Sequence, residues 1–205
     1  MGKTWRVREG TKPGCAGAGD EDNDNFKEGI IMLYDNDCRL CPLAGLRSHI
    51  VWGEGNQKAQ LMLVGEAPGA KEDLCGRPFV GAAGKLLDEV LTGAGIERKD
   101  IYITSVVKCR PPKNRMPHRV EITACSPYLA EQLRRIRPRV VVCLGLLAAR
   151  HFLGPEVKIS EVRGRWFELD GIKILPTFHP AAIFRGRDKL PLLKQDMEKA
   201  AREIL

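Results

Sequence analysis

The stretch Arg139–Leu144, RVVVCL, is apolar at consecutive positions rather than at alternate ones. A strand of this kind has no face to give to water, so it belongs in a parallel sheet covered by helices on both sides. Three further segments have strand character: Gln60–Gly65, Ile101–Val107 and Ile172–Phe178. Between them Ala83–Ala94 and Val120–Ile136 have helical length and periodicity. This βαβ rhythm predicts right-handed crossovers. The expected architecture is α/β: a three-layer α/β/α sandwich around a central, mainly parallel four-stranded sheet. Val162–Leu175, with Asp170-Gly171 between alternating residues, reads as an antiparallel hairpin at the sheet margin, and Pro191–Leu205 as a closing amphipathic helix.

Residues 1–29 contain GCAGAGDEDNDN and few apolar side chains. They cannot bury enough surface to offset the entropy of ordering and are expected to be a flexible tail before one domain over 30–205. Lys and Arg number 33 against 26 Asp and Glu, a formal charge of +7. That balance suits a polyanionic partner without requiring one. No run is long and apolar enough to span a membrane, and MGKTWRVREG lacks the apolar core of a signal peptide. A soluble, cytoplasmic protein with no membrane partner is expected. Its seven cysteines then point to metal ligation rather than a disulfide framework. Only Cys38-Arg-Leu-Cys41 has the spacing that lets close neighbours share one metal centre.

In an open parallel sheet the ligand site lies beyond the carboxyl ends of the strands. Three turns at those ends are unusual: Gly65-Glu66-Ala67-Pro68-Gly69, Ser105 to Pro112 (SVVKCRPP), and His179-Pro180-Ala181-Ala182. They are expected to converge on one edge.

GEAPG, the continuation through Glu72-Asp73 to GRPFVGAAGKLL, then KCRPPKNR and finally HPAA follow one another in that order. By these blocks the chain resembles the family 4 uracil-DNA glycosylases, the iron–sulfur branch, over about residues 30–205. The resemblance implies a monofunctional enzyme that removes uracil from DNA and starts base excision repair. It also implies a [4Fe–4S] cluster on Cys38, Cys41, Cys109 and Cys125. Zinc on four thiolates is the competing chemistry, because spacing does not separate the two. Cys143, inside a strand, reads as a plain buried thiol. Cys15 and Cys75 have no assigned role.

A base inside a duplex must be unstacked, turned out and gripped before its glycosidic bond can be reached. Phe79 is an ordinary core residue by type, and the resemblance makes it the ring on which the extruded base stacks. Breaking the bond leaves negative charge on the base, so a donor aimed at its O2 is needed. His179 is the candidate, although a His before Pro at a strand end also suits a cap. By the resemblance Gly65 and the amides of Glu66 and Ala67 complete the base contacts. Related glycosylases carry an Asp at the Ala67 position to orient water. Here Glu66 and Asp73 are the nearby carboxylates for that task, with loop capping as their alternative role.

Family 4 members have Asn where this chain has Ser105. An amide pairs with both N3–H and O4 of uracil and opposes cytosine, whereas a hydroxyl is shorter and rotates. Weaker uracil preference, or acceptance of other deaminated bases such as hypoxanthine or xanthine, is the expectation. The loop KCRPPKNRMPHR has no acidic residue, so Lys108, Arg110, Lys113 and Arg115 are expected at phosphates, joined by Arg185. Ile183 and Phe184 are expected to wedge into the base stack, with packing against the closing helix as the alternative. A monomer associated with the nucleoid is expected, with a sliding clamp as the candidate protein partner. The rival reading from a different class is an iron–sulfur protein of the same fold that binds damaged DNA with little or no turnover. A covalent abasic-site trap and an electron-transfer ferredoxin fit the motifs less well.

Overall fold

The computed structural model describes residues 35–204; the expected tail, 1–29, lies outside them. The elements run β1 (Glu54–Gly55), β2 (Leu61–Gly65), α1 (Ala70–Cys75), α2 (Ala82–Gly93), β3 (Tyr102–Ser105), α3 (Arg119–Ile136), β4 (Val140–Leu144), α4 (Leu146–Leu153), α5 (Ile159–Val162), β5 (Phe167–Leu169), β6 (Ile172–Thr177), α6 (Pro180–Ile183) and α7 (Leu190–Ile204). Among the described residues the sheet has six strands in the order β1-β3-β2-β4-β6-β5. The four expected strands are its parallel centre, β3-β2-β4-β6. Two short antiparallel strands, β1 and β5, extend the edges and correct the expected count of four. Strand β5 is the first arm of the hairpin expected around Asp170-Gly171, and Asp170 takes the left-handed conformation (φ 51°) of such a turn. Two residues of β1 carry no periodicity to read.

Alternate residues of the central strands face opposite layers, as the pleat requires. Leu61, Leu63, Ile103, Val140, Val142, Leu144 and Leu175 pack with Leu87 and Leu91 of α2 and with Leu193, Met197 and Ala200 of α7. Met62, Val64, Tyr102, Val141, Cys143 and Ile174 pack with Leu129 and Ile136 of α3 and Ala148 and Ala149 of α4. The double-faced burial of RVVVCL is thereby accounted for, and each such Val or Leu contributes about 1.5–3 kcal/mol. The chain is a three-layer sandwich. No helix among the described residues is long and apolar enough to cross a membrane.

Two features of this frame position the site. Gly65 pairs in register with Ser105, and Leu144 with Thr177, so the strands finish level at their carboxyl ends. The β3 ladder also stops at Ser105, earlier than the expected Val107. Beyond it the amides of Val106 and Val107 donate to the carbonyls of Gly65 (3.0 Å) and Glu66 (3.1 Å). The first and second turns are thereby stitched together.

Candidate active site

The three turns meet at this edge. The rings of Phe79 and His179 stack with centroids 5.7 Å apart and planes 28° from parallel. A Cβ on Gly65 would come within 2.8 Å of Phe79 Cζ and 3.1 Å of Ser105 Oγ. A Cβ on Gly145 would meet Glu66 Oε1 at 2.6 Å and the His179 Cβ at 3.1 Å. Both glycines therefore make room for their neighbours, and Gly145 also holds a φ of 104° that other residues rarely adopt. Gly65, Glu66, Phe79, Ser105 and His179 lie together at this edge.

His179 begins α6, and its Nδ1 accepts a hydrogen bond from the Ala181 amide at 3.1 Å. The capping reading therefore holds. An accepting Nδ1 means that the neutral ring carries its hydrogen on Nε2, leaving that atom as a donor. Burial pushes the imidazole below its usual range, while Glu66 and Glu72 pull it back up. The neutral form is thus favoured.

Phe79 is held in a left-handed conformation (φ 51°). Its carbonyl stands 1.8 Å from where a Gly84 Cβ would be, so only glycine fits there. Arg98 donates to the carbonyls of Pro78 (Nη2, 2.7 Å) and Phe79 (Nη1, 3.3 Å). From the other side Glu72 Oε1 accepts from the amides of Val80 (3.0 Å) and Gly81 (2.8 Å). The ring belongs to both the core and the cleft, since it also packs in the Leu61–Leu87 layer.

The expected carboxylates have separate tasks. Glu66 Oε1 accepts from the Leu147 amide at 3.0 Å, capping α4. Asp73 is buried, and its Oδ1 accepts from the Ser48 amide at 2.9 Å. That carboxylate ties down the loop after Cys41, which corrects the expectation that it orients water. Glu72, one residue earlier and electrostatically linked to His179, is the carboxylate that the sequence reading passed over.

Three expected DNA contacts also change. Lys108 is 1% exposed, and its ammonium is turned inward, away from any phosphate. Ile183 is 4% exposed and packs in the core with α2 and α7, so it is no wedge. Arg115 is committed to the buried Glu121 through two hydrogen bonds, Nη1 to Oε2 (2.9 Å) and Nη2 to Oε1 (2.6 Å). Phe184 is 61% exposed, Lys113 and Arg185 are exposed, and Arg110 is half-buried.

Cys38, Cys41, Cys109 and Cys125 line one pocket, with Arg47 and Tyr128 among its walls. Arg47 Nη1 points at Cys109 Sγ (3.7 Å) while Nη2 donates to the Cys38 carbonyl (2.8 Å). The Lys108 amide donates to Cys125 Sγ at 3.2 Å. Glu121 accepts from the His118 amide (2.7 Å) and so fixes the start of α3, one turn before Cys125. Burial pushes the Cys109 thiol up to about 12, and burial also raises Cys125. Thiolates here need positive charge among them. No group of three or more His, Cys, Asp or Glu among the described residues converges tightly enough to hold a single metal ion. Cys143 is buried in β4, apart from this pocket.

The model of the uracil DNA glycosylase superfamily matches residues 52–205. The chain belongs to this superfamily. It is 47% identical to a type-4 uracil-DNA glycosylase of Thermotoga maritima over 175 residues, covering 83% of this chain and 91% of that protein. A type-4 uracil-DNA glycosylase of Archaeoglobus fulgidus is 44% identical over 82% of this chain and 86% of its own length. A type-5 uracil-DNA glycosylase of Pyrobaculum aerophilum is more distant, at 34% identity over 78% of this chain.

Proposed function

We propose that this protein is a uracil-DNA glycosylase that hydrolyses the bond between uracil and deoxyribose. The observation that carries this reading is the stacking of His179 on Phe79 beside Ser105, with the Nδ1 of His179 taken by the Ala181 amide so that the hydrogen sits on Nε2. A uracil turned out of the duplex stacks on Phe79, with its edge toward Ser105 and the amides of Glu66 and Ala67. As the glycosidic bond lengthens, its electron pair goes to the base. The Nε2–H of His179 donates to O2, where the charge collects, and does so in a site that keeps most water out. Water adds to the deoxyribose carbon, and the proton it loses balances the one taken up by the uracil anion, giving an abasic sugar and free uracil. We assign the orienting of that water to Glu72, the carboxylate whose charge acts on His179 and which also braces the Phe79 loop, while Glu66 holds the turn.

Ser105 offers one rotating hydroxyl to the base edge. Loss of a fixed two-point pairing costs about 1–3 kcal/mol in a buried site and weakens rejection of other bases. Hypoxanthine and xanthine are therefore secondary substrates. Arg110, Lys113 and Arg185 contact phosphates. Phe184, alone of the expected pair, fills the gap left by the extruded base.

Cys38, Cys41, Cys109 and Cys125 hold a [4Fe–4S] cluster. Four thiols that line one pocket, with no oxygen or nitrogen ligand grouped among them in the described residues, are the donor set an iron–sulfur cluster takes. When bound, the cluster supplies a cross-link joining the 38–41 loop, the turn after β3 and α3. Arg47 and the Lys108 amide direct positive charge at its sulfurs.

The test is a gel assay on oligonucleotides carrying uracil, hypoxanthine or xanthine. Alkali-labile strands are expected, most with uracil, and the Ser105→Asn variant is expected to narrow the range. Retarded DNA without abasic sites would establish a damage-binding protein instead.

A further inference from the structure

Lys108 is fully buried, and its Nζ meets three neutral acceptors: Thr104 Oγ1 (2.7 Å), the Ser105 carbonyl (2.6 Å) and Gln132 Oε1 (2.7 Å). Thr104 and Ser105 are the end of β3, and Gln132 is on α3. Gln132 Nε2 and Thr104 Oγ1 in turn donate to the Trp52 carbonyl, at 2.7 and 2.8 Å. Trp52 lines the cysteine pocket. The backbone of Lys108 faces that pocket directly. Its amide donates to Cys125 Sγ (3.2 Å), and its carbonyl accepts from the Val51 amide (2.8 Å).

Burying a polar nitrogen is costly unless its hydrogen bonds are made, and all three made here are short, so this side chain holds its three partners firmly. A hydrophobic residue would fill the same space without holding any of them. The feature is therefore more than filler for the core.

We propose that Lys108 is a positioning residue that locks the base-gripping end of β3 against the wall of the cysteine pocket, so that the two sites are mechanically one unit. The proposal rests on the glycosylase reading and, for its second half, on the cluster. The turn that carries Ser105 is held from behind by the ammonium, and the same residue's amide is a contact to a sulfur ligand. A disturbance at either end passes through a few short bonds to the other.

Lys108→Met, purified with its iron, tests this. Inhibition by free uracil is expected to weaken about tenfold or more, the loss of one strong buried contact set, and single-turnover excision to slow in step. Affinity for undamaged duplex DNA stays at the wild-type value, because Lys108 reaches no phosphate. Iron content also stays, while the reduction potential shifts from the wild-type value, because the amide bonded to Cys125 Sγ moves with the turn and hydrogen bonds to the sulfurs help set the potential. Wild-type uracil affinity together with an unchanged potential would overturn the proposal. So would a slowing fully explained by lost iron. Thr104→Val removes one acceptor of Lys108 together with the donor to the Trp52 carbonyl, touches no cysteine, and guards against a misfolded Lys108 variant. It is expected to weaken uracil inhibition by a smaller factor at full iron content, and wild-type inhibition here also overturns the idea. A wild-type protein that leaves no abasic sites sinks the glycosylase reading, and one without iron sinks the cluster, so these failures are told apart.

Discussion

The strand-end cluster around Phe79 and His179, proposed to take the base, and the cysteine pocket both adjoin the turn after β3, and the fold holds them by opposite means. In the cleft, strand ends level with one another deliver Gly65, Ser105 and His179, and the Phe79 loop is pinned by Glu72 on one side and Arg98 on the other. Its polar atoms are largely engaged with protein. The wall of the cysteine pocket formed by residues 38–50 has a single short 3-10 turn, Pro42–Gly45, and its thiols face a common space. A site built on sheet ends is preformed; a site built from loops takes its shape from what it binds. The two regions should therefore respond differently to mutation.

The sharpest separation should come from His179→Ala. Removing a donor to a developing negative charge costs about 100- to 1,000-fold in rate, whereas the lost α6 cap costs only about 1 kcal/mol of stability. Single-turnover excision and thermal melting, measured on the same samples, check this. Equal damage to both would mean that His179 is only a cap and that the cleft is less preformed than argued.

Cys109→Ser should reverse the pattern. Losing the proposed cluster cross-link should cost, by analogy with a disulfide, about 2–4 kcal/mol, with faster hydrogen exchange across 38–50 and at the start of α3. The central strands should keep their protection. If instead β2 and β4 loosened equally, the pocket would be part of the core rather than an appendage to it.

The difference between the regions also decides what could be read in advance. The sheet was legible because RVVVCL has no polar face, and the cleft because its motifs sit at strand ends, where topology places ligands. The four cysteines could be grouped by resemblance, but their loops have no periodicity, so their geometry was not. Lys108 and Ile183 were assigned to DNA because residue type was read without burial. A Lys in a basic loop carries no sign in sequence that its ammonium folds back on its own strand. Arg98 and Glu72 were missed because their contacts to the Phe79 loop come from α1 and from a turn before β3, and no local pattern announces such a clamp. Gly145 likewise reads as an ordinary helix start until Glu66 and His179 are seen against it.

Within the cleft, Phe79→Ala should remove about 1–3 kcal/mol of base stacking. Arg98→Met keeps the ring and withdraws the donors to Pro78 and Phe79, so its loss in uracil affinity should be smaller than that of Phe79→Ala. Inhibition by free uracil ranks the two. A larger loss from Arg98→Met would show that posture of the loop, rather than the ring itself, carries the interaction.

The smallest expected effect concerns pH. Burial holds the His179 imidazole below its usual range, with Glu66 and Glu72 opposing. The unfolded chain binds a proton near pH 6.5, above the native value. The stability due to the neutral ring is therefore complete above pH 6.5, falls as pH drops from there to the native pKa, and is level below it. Excision should follow the native value alone, because protonating Nδ1 places a hydrogen against the Ala181 amide and breaks the bond that orients the ring. The single-turnover rate should thus stay flat through pH 6.5 and decline only at lower pH. Glu72→Gln removes a negative charge that favours the proton, so it should move the acidic limb further down by a fraction of a pH unit, whatever it does to the height of the plateau. An acidic limb at or above pH 6.5, or an upward displacement in Glu72→Gln, would mean that the ring is not held neutral by burial, and the claim of a preformed donor would fail with it.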